Sequence, residues 1–318
     1  MASSTNSIVK KPLYNTMDGI TYPGFFSPKC FREALDYKPQ AEDIFIVTYP
    51  KCGTTWMQNV ALYIFRKGKE LEDISQFKKH CPYIDMLGKE GIEKMPRPGA
   101  FKTHLPYDHL PYSPNSKYIF VSRNPKDCVL SFYHHTQSQP EFAFWNGKFD
   151  DFFEFFMNGE VEYNDYFDHL LSWYPHRKDQ NVFFTTYEEM KKDIRSVIVT
   201  LAKFLGDEFI SEIERDNAVF NNIVLYSSFD YMKKHLNDMG DSKKIKTASE
   251  QMAYEGLRHK AEFISKLNLP EELPELKFIR KGIVGDWKNV LTDEQNGRLN
   301  RKFNERLSGT DIPNWFSF

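Results

Sequence analysis

The sequence predicts an α/β fold: a single domain over residues 1–318, with a mostly parallel central sheet flanked by helices and a P-loop-like turn after one strand. Three observations carry that reading. Short runs rich in β-branched and aromatic residues alternate with stretches of helical spacing, as βα units require. Neither an internal repeat nor a long Pro-, Gly- and Ser-rich linker divides the chain. Apolar residues make up 41% of the sequence, enough for one large core.

The first strand is Ile44-Phe45-Ile46-Val47-Thr48, whose lack of alternation suits a strand covered on both faces. After a turn at Tyr49–Gly53, Trp56, Met57, Val60, Ala61, Ile64 and Phe65 fall on helical spacing, and Gly68 is placed to end that helix. Residues 69–97 are polar and broken by Pro82 and Pro96, which predicts a loop or short helices. Ala100–Thr103 and Tyr118–Val121 read as two further strands, the second passing through Ser122-Arg123-Asn124-Pro125 into a helix that begins near Lys126. Asn181–Thr185 is the fourth strand, and Ile194, Val197, Ile198, Leu201, Ala202 and Leu205 mark a helix ended by Gly206. Thr292-Asp293-Glu294-Gln295 fits a capping box opening a last helix with Leu299 and Phe303. Residues 1–20 are expected to be flexible and 237–257 to form a mobile loop.

A net charge of −2 argues against a nucleic-acid partner held by bulk positive charge and leaves room for a local basic pocket. With 28 Phe and 17 Tyr there is aromatic material to line an apolar cavity as well as a core. Cys30, Cys52, Cys81 and Cys128 have no metal-ligand spacing and read as free thiols in a reducing compartment. The residues Met1–Lys11 lack the apolar stretch of a signal peptide. No run approaches the roughly 18–20 apolar residues of a membrane span. A cytoplasmic protein with no membrane and no metal partner is expected.

The strongest local signal is Thr48-Tyr49-Pro50-Lys51-Cys52-Gly53-Thr54-Thr55-Trp56. A turn between a strand and a helix aims free backbone N–H groups and the positive helix end at one point. Lys51 adds a full charge, and Thr54 and Thr55 add hydroxyl donors. Lys51 precedes Gly53, whereas the Walker A lysine follows its second glycine. A bare turn of this kind reads equally well as an ordinary connection with a capping Thr. In Lys102-Thr103-His104-Leu105-Pro106, an extended backbone points Lys102 and His104 the same way, pairing an imidazole base with a cation. His134, His135 and His169 lack such context and read as structural. Arg123, with Ser131 eight residues on, and Arg280-Lys281-Gly282 offer two further phosphate anchors, although alone the latter is an ordinary solvated loop.

The nine-residue string resembles the 5′-phosphosulfate loop T-Y-P-K-S-G-T-T-W of the cytosolic sulfotransferases that use 3′-phosphoadenosine 5′-phosphosulfate (PAPS), departing only at Cys52. Lys102–Pro106 matches that family's K-T-H-L-P, and Arg280–Lys288 its R-K-G-x-x-G-D-W-K. The resemblance runs from about Asp43 to Phe303. It implies that Lys51, Cys52, Gly53, Thr54, Thr55 and Trp56 hold the phosphosulfate end of PAPS, while Arg123, Ser131, Arg280, Lys281 and Gly282 hold the 3′-phosphate. Trp56, Tyr187, Ser228 and Phe229 would contact adenine. The product is 3′-phosphoadenosine 5′-phosphate (PAP), and no metal is required. His104 would be the general base, Lys51 and Lys102 would stabilise developing charge, and Ser131 would pair with Lys51 before the acceptor arrives. Cys52, beside Lys51 and a helix N-terminus, is expected to be acidic and reactive.

The acceptor is expected to be a small phenol or catecholamine-like molecule. Phe25, Phe26, Tyr83, Phe142 and Phe144 are candidates to line its pocket, with Glu141 placed to pair with an amine. The family's dimer segment K-x-x-x-T-V-x-x-x-E keeps Lys288 and Thr292 here but has Asp293 and Gly297 in place of Val and Glu, so a monomer is favoured over a homodimer. A P-loop kinase and a ligand carrier without chemistry are the alternatives. The first needs a Walker A lysine that is absent, and the second leaves Lys51, Lys102 and His104 without a purpose.

Overall fold

The computed structural model describes residues 10–73, 76–237, 254–270 and 279–316. In chain order its elements are β1 (Tyr14–Met17), β2 (Ile20–Pro23), α1 (Pro28–Leu35), β3 (Ile44–Thr48), α2 (Thr54–Phe65), α3 (Phe77–His80), α4 (Ile84–Leu87), α5 (Lys89–Glu93), β4 (Phe101–Thr103) and β5 (Lys117–Ser122). There follow α6 (Pro125–Ser138), α7 (Phe149–Asn158), α8 (Tyr166–Trp173), β6 (Val182–Thr186), α9 (Tyr187–Lys192), α10 (Ile194–Leu205), α11 (Asp207–Arg215), α12 (Asn217–Tyr226), α13 (Phe229–Leu236), α14 (Glu255–Ser265) and α15 (Asp293–Arg306).

The strand β3 is buried at all five positions, and its side chains divide between two cores. Phe45 and Val47, with Tyr118 and Phe120 of β5, join an aromatic core that takes in Phe132, Phe152, Phe156, Trp173 and Phe303. Ile44 and Ile46, with Ile119 and Val121, face the opposite way into a core built with Met57, Val60, Ile64, Ile198 and Leu201. Helices on both faces explain why the strands read as continuous apolar runs.

The sheet is parallel throughout, in the order β4-β3-β5-β6. From β3 the chain crosses to β4 on one side; from β5 it crosses to β6 on the other. The crevice at the C-terminal ends of β3 and β5 is therefore the topological switch point, where open α/β sheets bind their ligands. The turns after those two strands carry Lys51 and Arg123.

Local signals explain the flanking helices. Asn124 caps α6 through a 2.9 Å bond from the Asp127 N–H, with Pro125 in the first turn. Thr292 and Gln295 form the expected capping box on α15. The segment 69–97 holds the three short helices α3 to α5.

Two expected segments lie partly outside the described residues. Of residues 1–20, expected to be flexible, 1–9 lie outside the described residues, and the rest include β1, which pairs antiparallel with β2 from Tyr14↔Pro23 to Met17↔Ile20. Of the expected mobile loop 237–257, residues 238–253 lie outside the described residues, and Glu255 onward is the first turn of α14.

Candidate active site

The turn between β3 and α2 is conformationally committed. Lys51 has φ +68° and Gly53 φ +103°, both in the left-handed region, and Gly53 caps the 12-residue α2. A non-glycine residue held there stores strain of about 1–3 kcal/mol, which usually marks a working turn. At Gly53 an added Cβ would lie 3.0 Å from the ring of Tyr187, so the backbone is free to meet a ligand only as glycine. Lys51, Gly53, Thr54, Thr55 and Trp56 all line one cavity of about 2000 Å³. That volume exceeds the roughly 300–1,000 Å³ of a single drug-sized site.

Cys52 departs from expectation. Its side chain is fully buried and is not among the residues lining the cavity. Its Sγ lies 3.8 Å from Sγ of Cys128. Burial pushes its thiol well above the usual range, reinforced by Cys128, so Cys52 is an inert core thiol rather than an acidic, reactive one. Its contribution to the turn is its backbone.

His104 follows β4 and is 7% exposed. Its Nδ1–H donates to the Thr48 carbonyl at 2.7 Å, and Thr48 Oγ1 lies 3.1 Å from the same nitrogen. That bond fixes the tautomer and leaves Nε2 as a lone-pair acceptor on a residue that lines the cavity. Burial, with the charges of Lys102 and Lys51, holds the imidazole well below its ordinary pKa. It is therefore neutral and able to take a proton. Asp85 braces the backbone behind it, accepting from the His104 N–H at 3.0 Å, Thr103 Oγ1 at 2.6 Å and Tyr163 OH at 2.7 Å.

Lys51 and Lys102 also line the cavity. Burial lowers the pKa of each to about 8; for Lys51 the charges of Lys102 and Arg123 add to the effect. Lys102 sits 4.1 Å above the Tyr83 ring. Lys51 Nζ lies 3.3 Å from Nδ1 of His135, which stands one turn after Ser131 on α6. Ser131 lines the cavity, but among the described residues it makes no hydrogen bond to Lys51, so His135 holds the place expected for Ser131.

At the other end, Arg123 donates to the carbonyls of Lys51 and Ile283, both at 3.2 Å, and its guanidinium lies 4.2 Å over the Tyr187 ring. Arg280 and Lys281 each bond Asp286 at 2.7 Å. The loop they occupy is docked on α6 by Asp127, which accepts from the Gly285 N–H at 2.7 Å and the Trp287 N–H at 3.2 Å. Ser228 caps α13, and Phe229 packs so closely on Gly282 that a Cβ there would approach its ring to 2.3 Å. Trp56, Tyr187, Ser228, Phe229, Arg280, Lys281 and Gly282 line the same cavity as His104, so both expected anchors share one space.

Of the acceptor candidates, Phe25, Phe26, Tyr83 and Phe142 line the cavity. Phe144 is fully buried in the aromatic core, and Glu141 is buried in an ion pair with Lys260; neither is among the lining residues. His135 and Glu162 are lining residues that the sequence reading passed over. His135 lies four positions after Ser131, which on a helix means the same face, so its placement was readable. Glu162 follows α7 in a segment with no motif to announce it. Among the described residues, no group of three or more His, Cys, Asp and Glu could hold a metal ion, and no helix is long and apolar enough to cross a membrane.

The sequence profile of the family described as "Sulfotransferase domain" matches residues 41–311. The chain belongs to this family. Among its relatives, a rabbit (Oryctolagus cuniculus) protein named amine sulfotransferase is 33% identical over 294 residues, covering 90% of this chain and 86% of the relative. Sulfotransferase 1E1 of Bos taurus is 30% identical, covering 89% of each. The crystal structure of mouse sulfotransferase SULT7A1, solved in complex with PAP, superposes with a TM-score of 0.67 at 28% identity, covering 95% of this chain and 96% of that one. Retinol dehydratase, at 19% identity and a TM-score of 0.63, shares the fold. The protein is thus a sulfotransferase, and its switch-point crevice is where this sulfotransferase gathers the loops that set it apart from a Walker A enzyme.

Proposed function

We propose that this sulfotransferase moves a sulfuryl group from PAPS to a hydroxyl or amine of a small, mainly aromatic acceptor, with His104 as general base. The observation that carries the reading is the committed tautomer of His104: Nδ1 is tied to the Thr48 carbonyl, which leaves Nε2 as the acceptor on a residue that lines the cavity shared with the Lys51 turn.

The residues present fit the nucleotide. Arg123 Nε, Trp56 Nε1 and Ser227 Oγ are buried donors with no partner among the described residues, and all three side chains line the cavity. Orphaned donors are costly unless a ligand meets them. Backbone N–H groups of Lys51–Thr55 and the start of α2 suit the phosphosulfate end. Arg123, Ser131 and the Arg280–Gly282 loop suit the 3′-phosphate, and Trp56, Tyr187 and Phe229 suit adenine.

PAPS, when bound, supplies a sulfuryl group on a phosphate leaving group. The chain's own residues do the rest. His104 Nε2 takes the acceptor's proton. The Lys51 ammonium offsets charge that gathers on the phosphate side, and Lys102 offsets charge on the sulfuryl oxygens. His135 holds Lys51 in place when no donor is bound. Phe25, Phe26, Tyr83 and Phe142 exclude water and orient a flat acceptor. A metal-free, cytoplasmic monomer is the setting in which we place this reaction.

Incubation with radiolabelled PAPS and a panel of phenols, catecholamines and steroids tests the reading. Labelled acceptor should form in step with PAP. Absence of transfer to every acceptor, or phosphoryl transfer from ATP with Mg²⁺, would overturn it.

A further inference from the structure

One wall of the cavity carries a carboxyl group that sulfuryl transfer to a neutral phenol does not require. Glu162 is 4% exposed and lines the cavity with His104, Lys51 and Lys102. Among the described residues its carboxyl makes no hydrogen bond and no ion pair. Lys260, whose ammonium lies 4.9 Å from the Phe25 ring, is already paired with Glu141. A carboxyl that faces a cavity without a hydrogen-bond partner from its own chain is free to accept a donor from a bound molecule.

The backbone next to Glu162 is firmly held. Tyr163 and Asn164 both have positive φ, +61° and +60°, an arrangement that two consecutive non-glycine residues adopt only when surrounding bonds enforce it. Those bonds are present. The Tyr163 N–H donates to the Thr21 carbonyl at 2.7 Å, and Asn164 Oδ1 accepts from the Thr21 N–H at 3.0 Å while its Nδ2 donates to the Gly19 carbonyl at 2.7 Å. Tyr49 OH donates to the Asn164 carbonyl at 2.8 Å, and Tyr163 OH to Asp85 at 2.7 Å. The β1–β2 hairpin thus clamps a strained turn whose preceding residue is the cavity carboxylate.

We infer that Glu162 selects acceptors that carry a cationic amino group, pairing its carboxylate with the ammonium while an aromatic ring packs on Phe25, Phe26 and Phe142. The inference rests on the sulfotransfer reading and narrows its acceptor class to phenols bearing an amine on a side chain. It reassigns to Glu162 the amine contact that the sequence placed on Glu141.

The charge balance agrees. Burial raises the Glu162 pKa to about 8, while Lys51 and Lys102 pull it down and Asp85 pushes it up. Tyr14, Tyr83 and Tyr163, which share its surroundings, are themselves held neutral by burial. At pH 7 Glu162 is therefore mostly protonated. An arriving ammonium favours the ionised form and displaces that proton.

The test uses the protein saturated with PAP and two matched ligands, 4-(2-aminoethyl)phenol and 4-propylphenol, titrated calorimetrically in buffers of different ionisation enthalpy. The wild-type protein should bind the amine at least tenfold more tightly and release a proton on doing so, whereas the neutral phenol should release none. Glu162→Gln should lose at least tenfold more affinity for the amine than for the neutral phenol. Equal affinity of the wild type for the two ligands, or equal losses for both in the variant, would overturn the inference. If Glu162→Gln does not fold, the wild-type preference and proton release still decide the matter. A failure of PAPS turnover with intact amine preference would instead count against the sulfotransfer reading alone.

Discussion

Gly282→Ala is a quantitative probe of the nucleotide end. Gly282 has φ +63°, and a Cβ there would lie 2.3 and 2.4 Å from Cδ2 and Cε2 of Phe229. Holding a non-glycine residue in this region costs about 1–2 kcal/mol, and forcing a methyl against a packed ring adds about 1–3 kcal/mol. Gly285 is the internal control: its φ is +88°, but an added Cβ meets nothing within 4 Å. Gly285→Ala therefore carries the backbone penalty alone. The strained loop relieves itself by opening, and nucleotide binding must close it again. The PAP dissociation constant of Gly282→Ala should exceed that of Gly285→Ala by about 1–3 kcal/mol, or about 5- to 150-fold. Isothermal titration with PAP reads this directly. Adding Phe229→Ala should give a smaller loss than the sum of the two single changes, because the ring that clashes is gone. Equal dissociation constants for the two glycine variants would show that Phe229 and the Arg280–Gly282 loop do not form one wall of the site.

Lys51→Met should lower kcat by at least about 10²-fold, the scale of removing one electrostatic stabiliser of a transition state; a near-normal kcat would remove Lys51 from the chemistry. PAP affinity should fall as pH rises from 7 to 9. Lys51 and Lys102 lose their charge near pH 8, and a bound anion holds their protons, so binding takes up protons in that window; a pH-independent dissociation constant would contradict this. With His104 held well below its ordinary pKa, the acid limb of kcat/KM should not appear near pH 6.5, and a limb there would assign the base elsewhere. Asp127→Ala removes the acceptor of the Gly285 and Trp287 N–H groups and of Asn124 Nδ2 at 2.9 Å. It should lower unfolding stability by about 2–4 kcal/mol in denaturant titration, and a loss below measurement would mean that the C-terminal loop is docked by other contacts.

The parts of the site written into contiguous strings were legible before the structure. The turn from Thr48 to Trp56 combines strand, tight turn and helix in nine residues, and its backbone departs from the expectation only in that Lys51 itself takes the left-handed conformation. The central strands β3 and β5 were readable because they are buried on both faces, and the edge strands β4 and β6, half-buried at some positions, because their short apolar runs follow or precede turn signals. What the sequence could not place were contacts between distant segments. Cys52 looked exposed to Lys51 and a helix dipole, but its sulfur turns into the core against Cys128, 76 positions away. Glu141 looked like a pocket carboxylate, but Lys260, across the chain on α14, claims it. Glu162 gained its position from a hairpin at residues 14–23 that clamps the following turn, a long-range constraint with no local signature. His135 was nearer to reach, since i, i+4 spacing from Ser131 puts both on one face of α6.

His104→Ala, assayed for PAPS-dependent turnover and for PAP affinity in the same preparation, bears most directly on the chemistry. Loss of a general base should reduce turnover by about 10²–10⁴-fold while PAP binds as tightly as to the wild-type protein. Turnover close to wild type would mean that another group takes the acceptor's proton.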